Sequence, residues 1–191
     1  LKIGYINNDL KIYKDATNEI KKFYSQILEI LNKRYNCKIF KNKYLNQFHA
    51  LHEKTYNKSL SYYIKTYIKK KNQISKKLQN IIKEGEKIST KKYNNCLKNM
   101  SEFKNSINKE FSNFDFLILP STFSRAPRIG SIEKDDTSLI WTAIGFPCIN
   151  IPIKYSNTTL PYGLMIVSTH YNDLALLDFA KKLDKLLKKI L

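Results

Sequence analysis

The chain has 191 residues, enough for one domain or part of a larger one, and at 42% hydrophobic and 13% aromatic it is not a disordered composition. Its five glycines are never closer than fifteen residues, which excludes a G-x-G-x-x-G dinucleotide loop, a P-loop and a Gly-Ser-rich nucleophile loop, because a backbone cradle needs clustered glycine. The formal net charge is +18, from 34 Lys+Arg against 16 Asp+Glu, so basic-surface functions have to be weighed.

The chain opens at Leu1 on an apolar run at residues 3–6, which reads as a short buried strand. No charged n-region or cleavage site precedes it, so it is not read as a signal peptide, and an N-terminal part is expected to be missing. Residues 15–35 carry Ile20, Phe23, Ile27, Ile30 and Leu31 at three- and four-residue steps, the period of an amphipathic helix. Residues 37–40 form a second strand. Strand, helix and strand predict a parallel pair joined by a right-handed crossover. Residues 44–112 hold one Gly and no Pro and read as three or four helices. A break is expected near Gly85, with Ser89 as the N-cap of the next helix.

The character changes at Phe114. Phe116-Leu-Ile-Leu119 is a continuous apolar run ended by Pro120, the pattern of a central strand covered on both faces. All five prolines lie between 120 and 161. Residues 148–153 and 162–168 read as two further strands, and residues 173–191 as a closing helix with Leu176, Phe179, Ala180, Leu183, Leu187 and Ile190 on its apolar face. The fold class is therefore α/β, a mixed β-sheet covered by helices, with a helix-rich middle segment. The longest uncharged stretch, residues 139–153, is broken by Gly145, Pro147 and Pro152 and is too short to span a bilayer.

The charge is uneven: +16 over residues 1–113 and +2 over residues 114–191. Of the 34 basic residues 31 are Lys, and Lys, Asn and Ile together make up 74 residues, the mark of AT-rich coding. A groove-reading surface is expected to use Arg, whose planar fork matches guanine and phosphate. The lysines, short runs such as 69–71 included, therefore read as solvated helix faces, with a nucleic-acid face as the competing reading. Cys37, Cys96 and Cys148, about fifty residues apart and without a C-x-x-C, indicate neither a disulfide framework nor a zinc site and fit a reducing, cytoplasmic compartment.

Several constellations are weighed for chemistry. Ser131-Ile-Glu-Lys134 fits S-x-x-K, but four such matches occur in this Lys-rich chain, so it reads as chance. His49, His52 and Glu53 share a helical face without a third metal ligand, and structure is the simpler reading. Asp135-Asp136 reads as a solvated loop or helix start rather than a carboxylate pair. Ser121, Thr122, Phe123 and Ser124 follow the central strand, where ligands bind in open α/β sheets; pocket and turn cap weigh evenly there. Trp141, the only Trp, is core or pocket wall.

From Asp115 on, the sequence resembles the C-terminal part of the amidase signature family. The blocks are Asp115-Phe-Leu-Ile-Leu-Pro-Ser-Thr122, Ala126-Pro127, Trp141-Thr-Ala-Ile-Gly-Phe-Pro-Cys-Ile-Asn-Ile-Pro152, Leu160-Pro-Tyr-Gly-Leu164 and Asp173-Leu-Ala-Leu-Leu-Asp-Phe-Ala180, in family order. Upstream, Gly85-Glu-Lys-Ile-Ser89 with Tyr93 is similar to the segment that precedes them, and residues 1–6 resemble the strand that follows the catalytic segment. The resemblance implies amide hydrolysis by a Ser nucleophile, a second Ser on a cis peptide and a Lys base, through an acyl-enzyme. None of these residues has a match here, so the resemblance carries over no catalytic residue. It carries over a pocket wall: Ser121, Thr122, Phe123, Trp141, Thr142, Ile144 and Gly145. Met165 stands where the family often has Gln, and Ile140-Trp141-Thr142 replaces a frequent Asn, which favours a general amidase over the glutamyl-tRNA amidotransferase branch.

The resulting expectation is one incomplete domain over residues 1–191: a strand–helix–strand unit (1–43), a basic helical segment (44–113) and a sheet-completing, pocket-forming segment (114–191). The chain is expected to be inactive alone and to use no cofactor and no metal. Its expected partners are a small-molecule amide substrate and the missing N-terminal half of the domain, with a homodimer left open, no membrane, and nucleic acid disfavoured. The alternatives are an amidotransferase component using ammonia, a basic nucleic-acid-binding module and a degenerate gene product.

Overall fold

Short apolar strands alternate with amphipathic helices, and the fold follows that alternation. The structure is a computed structural model that describes residues 1–7, 11–67, 74–127, 129–130, 137–155 and 160–191. In chain order it contains β1 (Lys2–Tyr5), α1 (Lys11–Lys14), α2 (Asn18–Asn32), β2 (Asn36–Ile39), a 3-10 turn (Leu45–Gln47), α3 (Phe48–Tyr67), α4 (Lys76–Glu86) and α5 (Thr90–Phe111). It continues with β3 (Phe116–Pro120), α6 (Ser138–Ile144), β4 (Cys148–Ile153), β5 (Tyr162–Val167) and α7 (Asp173–Ile190). Two compact units result, one of Leu1–Asn46 and Ser106–Leu191, the other of Gln47–Asn105. The Lys run at 69–71, the S-x-x-K at 131–134 and Asp135-Asp136 lie outside the described residues.

The first unit is built on one mixed sheet in the order β2-β1-β3-β5-β4. β1 pairs parallel with β2 and β3, while β5 pairs antiparallel with β3 and β4. The parallel β1–β2 pair expected from the strand–helix–strand pattern is present. β3 is central, and all five of its residues are buried, as its unbroken apolar run requires.

α2 starts at Thr17, whose side chain accepts the Ile20 N–H at 3.4 Å, and carries Glu19 in its first turn, where the helix dipole favours negative charge. It buries Ile20, Phe23, Tyr24, Ile27 and Leu31. At about 1.5–3 kcal/mol for each large apolar side chain, this packing outweighs the helix's own propensity. α7 buries Leu176, Phe179, Ala180, Leu183 and Leu187, with Phe179 stacked on Phe116 of β3 at 4.4 Å. Lys182–Asp178 and Lys188–Asp184 lie on its wet face at i, i+4. Ile190, expected on the apolar face, is 45% exposed and lies past Leu187, the last buried residue of the helix.

α6 has no counterpart among the expected elements. Its seven residues contain a polar Thr at only one interior position, too short a stretch to show a period. Its end has a plain cause: Gly145 takes φ 77° and donates its N–H to the Thr142 carbonyl, a left-handed helix cap that glycine adopts without steric cost.

The second unit holds α3, α4 and the first part of α5. The expected break near Gly85 falls two residues later. Gly85 lies inside the last turn of α4, buried, and a Cβ there would strike the Asn57 carbonyl of α3 and lie 2.8 Å from the Ser61 Cβ. The glycine therefore permits close helix packing instead of ending the helix. Ser89 does cap α5, accepting the Lys92 N–H at 3.2 Å. Phe48 and Phe103 pack with ring centroids 5.1 Å apart. Among the described residues no helix is long and apolar enough to cross a membrane.

Candidate functional site

β1 lies between β2 and β3, so the connections leaving β1 and β3 diverge to opposite sides of the sheet. In open α/β sheets such a switch point, beyond the carboxyl ends of the strands, is where ligands bind. Two clefts flank the end of β1 here. One, of about 270 Å³, is lined by Ile6, Phe40, Asn42 and Leu45 among others. The other, of about 210 Å³, is lined by Tyr5, Tyr13, Tyr24 and Leu28.

The end of β3 is tied down on every side. Ser121 donates its N–H to the Gly163 carbonyl at 3.0 Å and its hydroxyl to the Asn150 side-chain oxygen. That hydroxyl contact crosses Gly163, where a Cβ would lie 2.7 Å from Asn150 Oδ1 and 2.8 Å from Ser121 Cβ. Thr137, fully buried, donates its hydroxyl to the Pro120 carbonyl at 2.9 Å, and so fastens the start of α6 to the end of β3. Thr17, the cap of α2, donates its N–H to the Phe123 carbonyl at 2.9 Å. Phe123 is buried, edge-on to Tyr13 at 6.2 Å.

The seven residues expected to form a pocket wall occupy two neighbouring stretches. Ser121, Thr122 and Phe123 follow β3; Trp141, Thr142 and Ile144 are on α6, and Gly145 caps it. Thr137 is the link between the two stretches. Trp141 and Ile144 are buried, Thr142 and Gly145 exposed. Trp141 stacks with Phe146 at 6.3 Å, and its Nε1 has no hydrogen-bond partner among the described residues. Thr122 donates to the Ser124 carbonyl at 2.9 Å and Ser124 to the Arg125 carbonyl at 3.1 Å, the turn-capping arrangement.

A polar cluster joins the stretch after β3 to α2 and β5. Arg125 grips Glu19 of α2 through Nε at 2.8 Å and Nη2 at 3.1 Å, and also donates Nε–H to the Tyr162 hydroxyl at 3.1 Å. Tyr162 stacks on Phe23 at 5.1 Å. The Tyr162 hydroxyl, and then the Glu19 carboxylate, hold the Arg125 guanidinium above its ordinary range. The sequence holds one signal: Arg125 is one of three Arg in a chain with 31 Lys, and only Arg has the planar fork for this grip. Glu19, 106 residues away, leaves no trace in the sequence.

These groups can shape a pocket and orient a polar atom. Among the described residues the Ser121 hydroxyl meets an amide oxygen, which takes up no proton and so does not serve as its base. Partial burial pushes the Cys37 and Cys148 thiols up, away from the thiolate form. His49 and His52 lie on α3, in the second unit. Among the described residues no three His, Cys, Asp or Glu side chains group as a metal site.

The mixed sheet with its helices is an amidase-like α/β fold. A solved structure described as an amidase superposes with a TM-score of 0.84 at 17% identity, over 97% of this chain and 45% of that one. A 6-aminohexanoate cyclic dimer hydrolase, solved with substrate, gives 0.78 at 16% identity over 98% and 45%. The chain belongs to the amidase family, whose model matches residues 1–177. Among curated relatives, a glutamyl-tRNA(Gln) amidotransferase subunit of Methanococcoides burtonii is 31% identical over 90 residues, 43% of this chain and 19% of that protein. The chain thus spans under half of these solved structures, and the match covers about a fifth of the curated relative.

Proposed function

We propose that this chain is the C-terminal part of an amide hydrolase. In this reading it supplies the wall of the acyl pocket, through Ser121, Thr122, Phe123, Trp141, Thr142, Ile144 and Gly145. A complementing N-terminal part supplies the Ser nucleophile, the cis-held second Ser and the Lys base. Base-activated attack on the amide carbonyl releases the amine and leaves an acyl-enzyme, which water then hydrolyses. The carrying observation is the convergence of three family blocks at one point: Thr137 joins the stretch after β3 to α6, and Gly163 lets Ser121 and Asn150 meet. A loop pinned in this way can wall a pocket with little reorganisation.

Ammonia release from a panel of primary amides tests the reading. The isolated 191-residue chain is expected to give none. The product of the reading frame extended upstream of Leu1 is expected to turn over and to contain a Gly/Ser-rich stretch with an earlier Lys. Turnover by the isolated chain, or an upstream frame without that stretch, overturns it. A second reading is the ammonia-using amidotransferase component, favoured by the identity of the curated relatives. Ammonia passed to an acceptor instead of released would mark it.

A further inference from the structure

The mixed sheet ends on two edge strands, β2 and β4, and their surroundings differ in charge. Around β2, Lys33, Arg34, Lys38, Lys41 and Lys43 are all exposed. Lysine on an edge blocks pairing with a further strand, because a strand laid there would bury its ammonium. β4 has no such guard. Residues 139–153 carry no charge at all, although 31 of the 191 residues are Lys. Coding bias makes lysine the default on wet surface in this chain, yet the exposed positions of this stretch are Thr142, Ala143, Gly145, Cys148, Asn150 and Pro152. An unguarded edge beside uncharged surface is what a covered face requires.

The backbone of β4 is open on its outer side. Ser168 donates its N–H to the Pro147 carbonyl at 3.0 Å, which sets the alternation of the antiparallel ladder. Residues 147, 149, 151 and 153 turn their peptide groups to β5; residues 148, 150 and 152 turn theirs outward. Pro152, with no N–H to give, falls in the outward set, where an edge strand tolerates it. The Cys148 and Asn150 N–H groups therefore have no backbone partner among the described residues. At the Cys148 end of the strand, Tyr171 and Leu174 are 100% and 83% exposed. The edge also adjoins the candidate site, since Asn150 accepts the Ser121 hydroxyl.

We propose that β4 takes an added strand from the complementing N-terminal part of the domain, an inference that rests on the amide-hydrolase reading. Over half of the solved amidase lies outside the 45% that this chain matches, so a chain of sufficient length is at hand in such a protein. Main-chain hydrogen bonds to Cys148 and Asn150 supply the pairing, as in other strand additions. A strand seated there passes beside Asn150 and Ser121, and so brings the chain that carries the nucleophile to the pocket wall. A second copy would bring no nucleophile and its own charge of +18.

The cysteines make the two edges separately readable, with Cys37 on β2 and Cys148 on β4. Site-resolved alkylation and amide hydrogen exchange compare the 191-residue chain with the product of the reading frame extended upstream of Leu1. In the extended protein, alkylation of Cys148 and exchange of the Cys148 and Asn150 amides are expected to slow at least about tenfold, while Cys37 and the Cys37 and Ile39 amides stay within about twofold. Cys148→Lys, at an exposed position, is expected to leave the melting temperature of the 191-residue chain unchanged and to restore fast exchange at Asn150 in the extended protein. Cys148→Thr is expected to keep Asn150 slow. An extended protein that hydrolyses amides with the β2 sites slowed instead, or with neither edge slowed, overturns this inference alone. Concentration-dependent slowing at Cys148 in the 191-residue chain by itself assigns the edge to a second copy and also overturns it. An upstream frame without the Gly/Ser-rich stretch overturns the amide-hydrolase reading and this inference with it.

Discussion

Replacing Gly163 by Ala places one methyl where polar contacts from neighbouring strands cross. The added Cβ would lie 2.7 Å from Asn150 Oδ1 and 2.8 Å from Ser121 Cβ. A serine hydroxyl can swing away about χ1, but Ser121 Cβ is fixed by a backbone held to Gly163 itself at 3.0 Å. Overpacking of this kind costs about 1–3 kcal/mol. Loss of the Ser121–Asn150 hydrogen bond adds about 1 kcal/mol. The lower chain entropy of unfolded Ala gives back about 0.4–1 kcal/mol. The net loss is about 2 kcal/mol, which for a chain of this length lowers Tm by roughly 4–8 °C. Circular-dichroism melts of the parent, Gly163→Ala, Ser121→Gly and the double variant measure it. In the Ser121→Gly background the same substitution is expected to cost under about 1 kcal/mol, since its main obstruction is gone. A Gly163→Ala chain that melts at or above the parent, or an equal penalty in both backgrounds, would refute the reasoning.

Three further outcomes follow from the geometry. Gly85→Ala, which in an exposed helix gains about 1 kcal/mol, is expected here to lose about 1–3 kcal/mol against the Asn57 carbonyl, seen as faster amide exchange in α3 and α4. Tyr24→Phe removes a buried hydroxyl that donates to the Ile118 carbonyl at 2.7 Å and is expected to lower stability by about 1 kcal/mol in urea titration. Burial, and then the charge of His49, hold His52 below its ordinary value of 6.5. The unfolded chain therefore takes up the His52 proton first, and stability falls as the pH drops below 6.5 until the native His52 itself titrates. His52→Gln is expected to remove that part of the pH dependence, read from urea midpoints at successive pH values.

Much of the architecture can be read along the chain. The unbroken apolar run at 116–119 is the fully buried β3, and the three- and four-residue apolar steps of α2 and α7 face the core. These signals are local, because burial imposes a period on neighbouring residues. α6 escapes because seven residues are too few for a helical period, and its apolar Leu139, Ile140 and Ile144 fit a strand as well. Gly85 reads as a breaker because glycine marks both helix ends and close approaches, and only the Asn57 carbonyl tells them apart.

At the candidate site the division is sharper. Order and composition alone place Ser121, Thr122 and Phe123 after the central strand and Trp141 before a glycine stop, and the family blocks in order carry the amidase resemblance. Which polar atoms meet is decided by tertiary structure. Ser121 reaches Asn150 only because β4 and β5 pair in a register that sets Pro152 opposite Gly163, and a slip of one residue would turn Asn150 to the other face. Arg125 finds Glu19 only because α2 and the end of β3 come together across 106 residues of chain. A linear pattern records which residues are buried. It does not record which distant partner satisfies each polar group, because that partner is chosen by packing that spans the whole sheet.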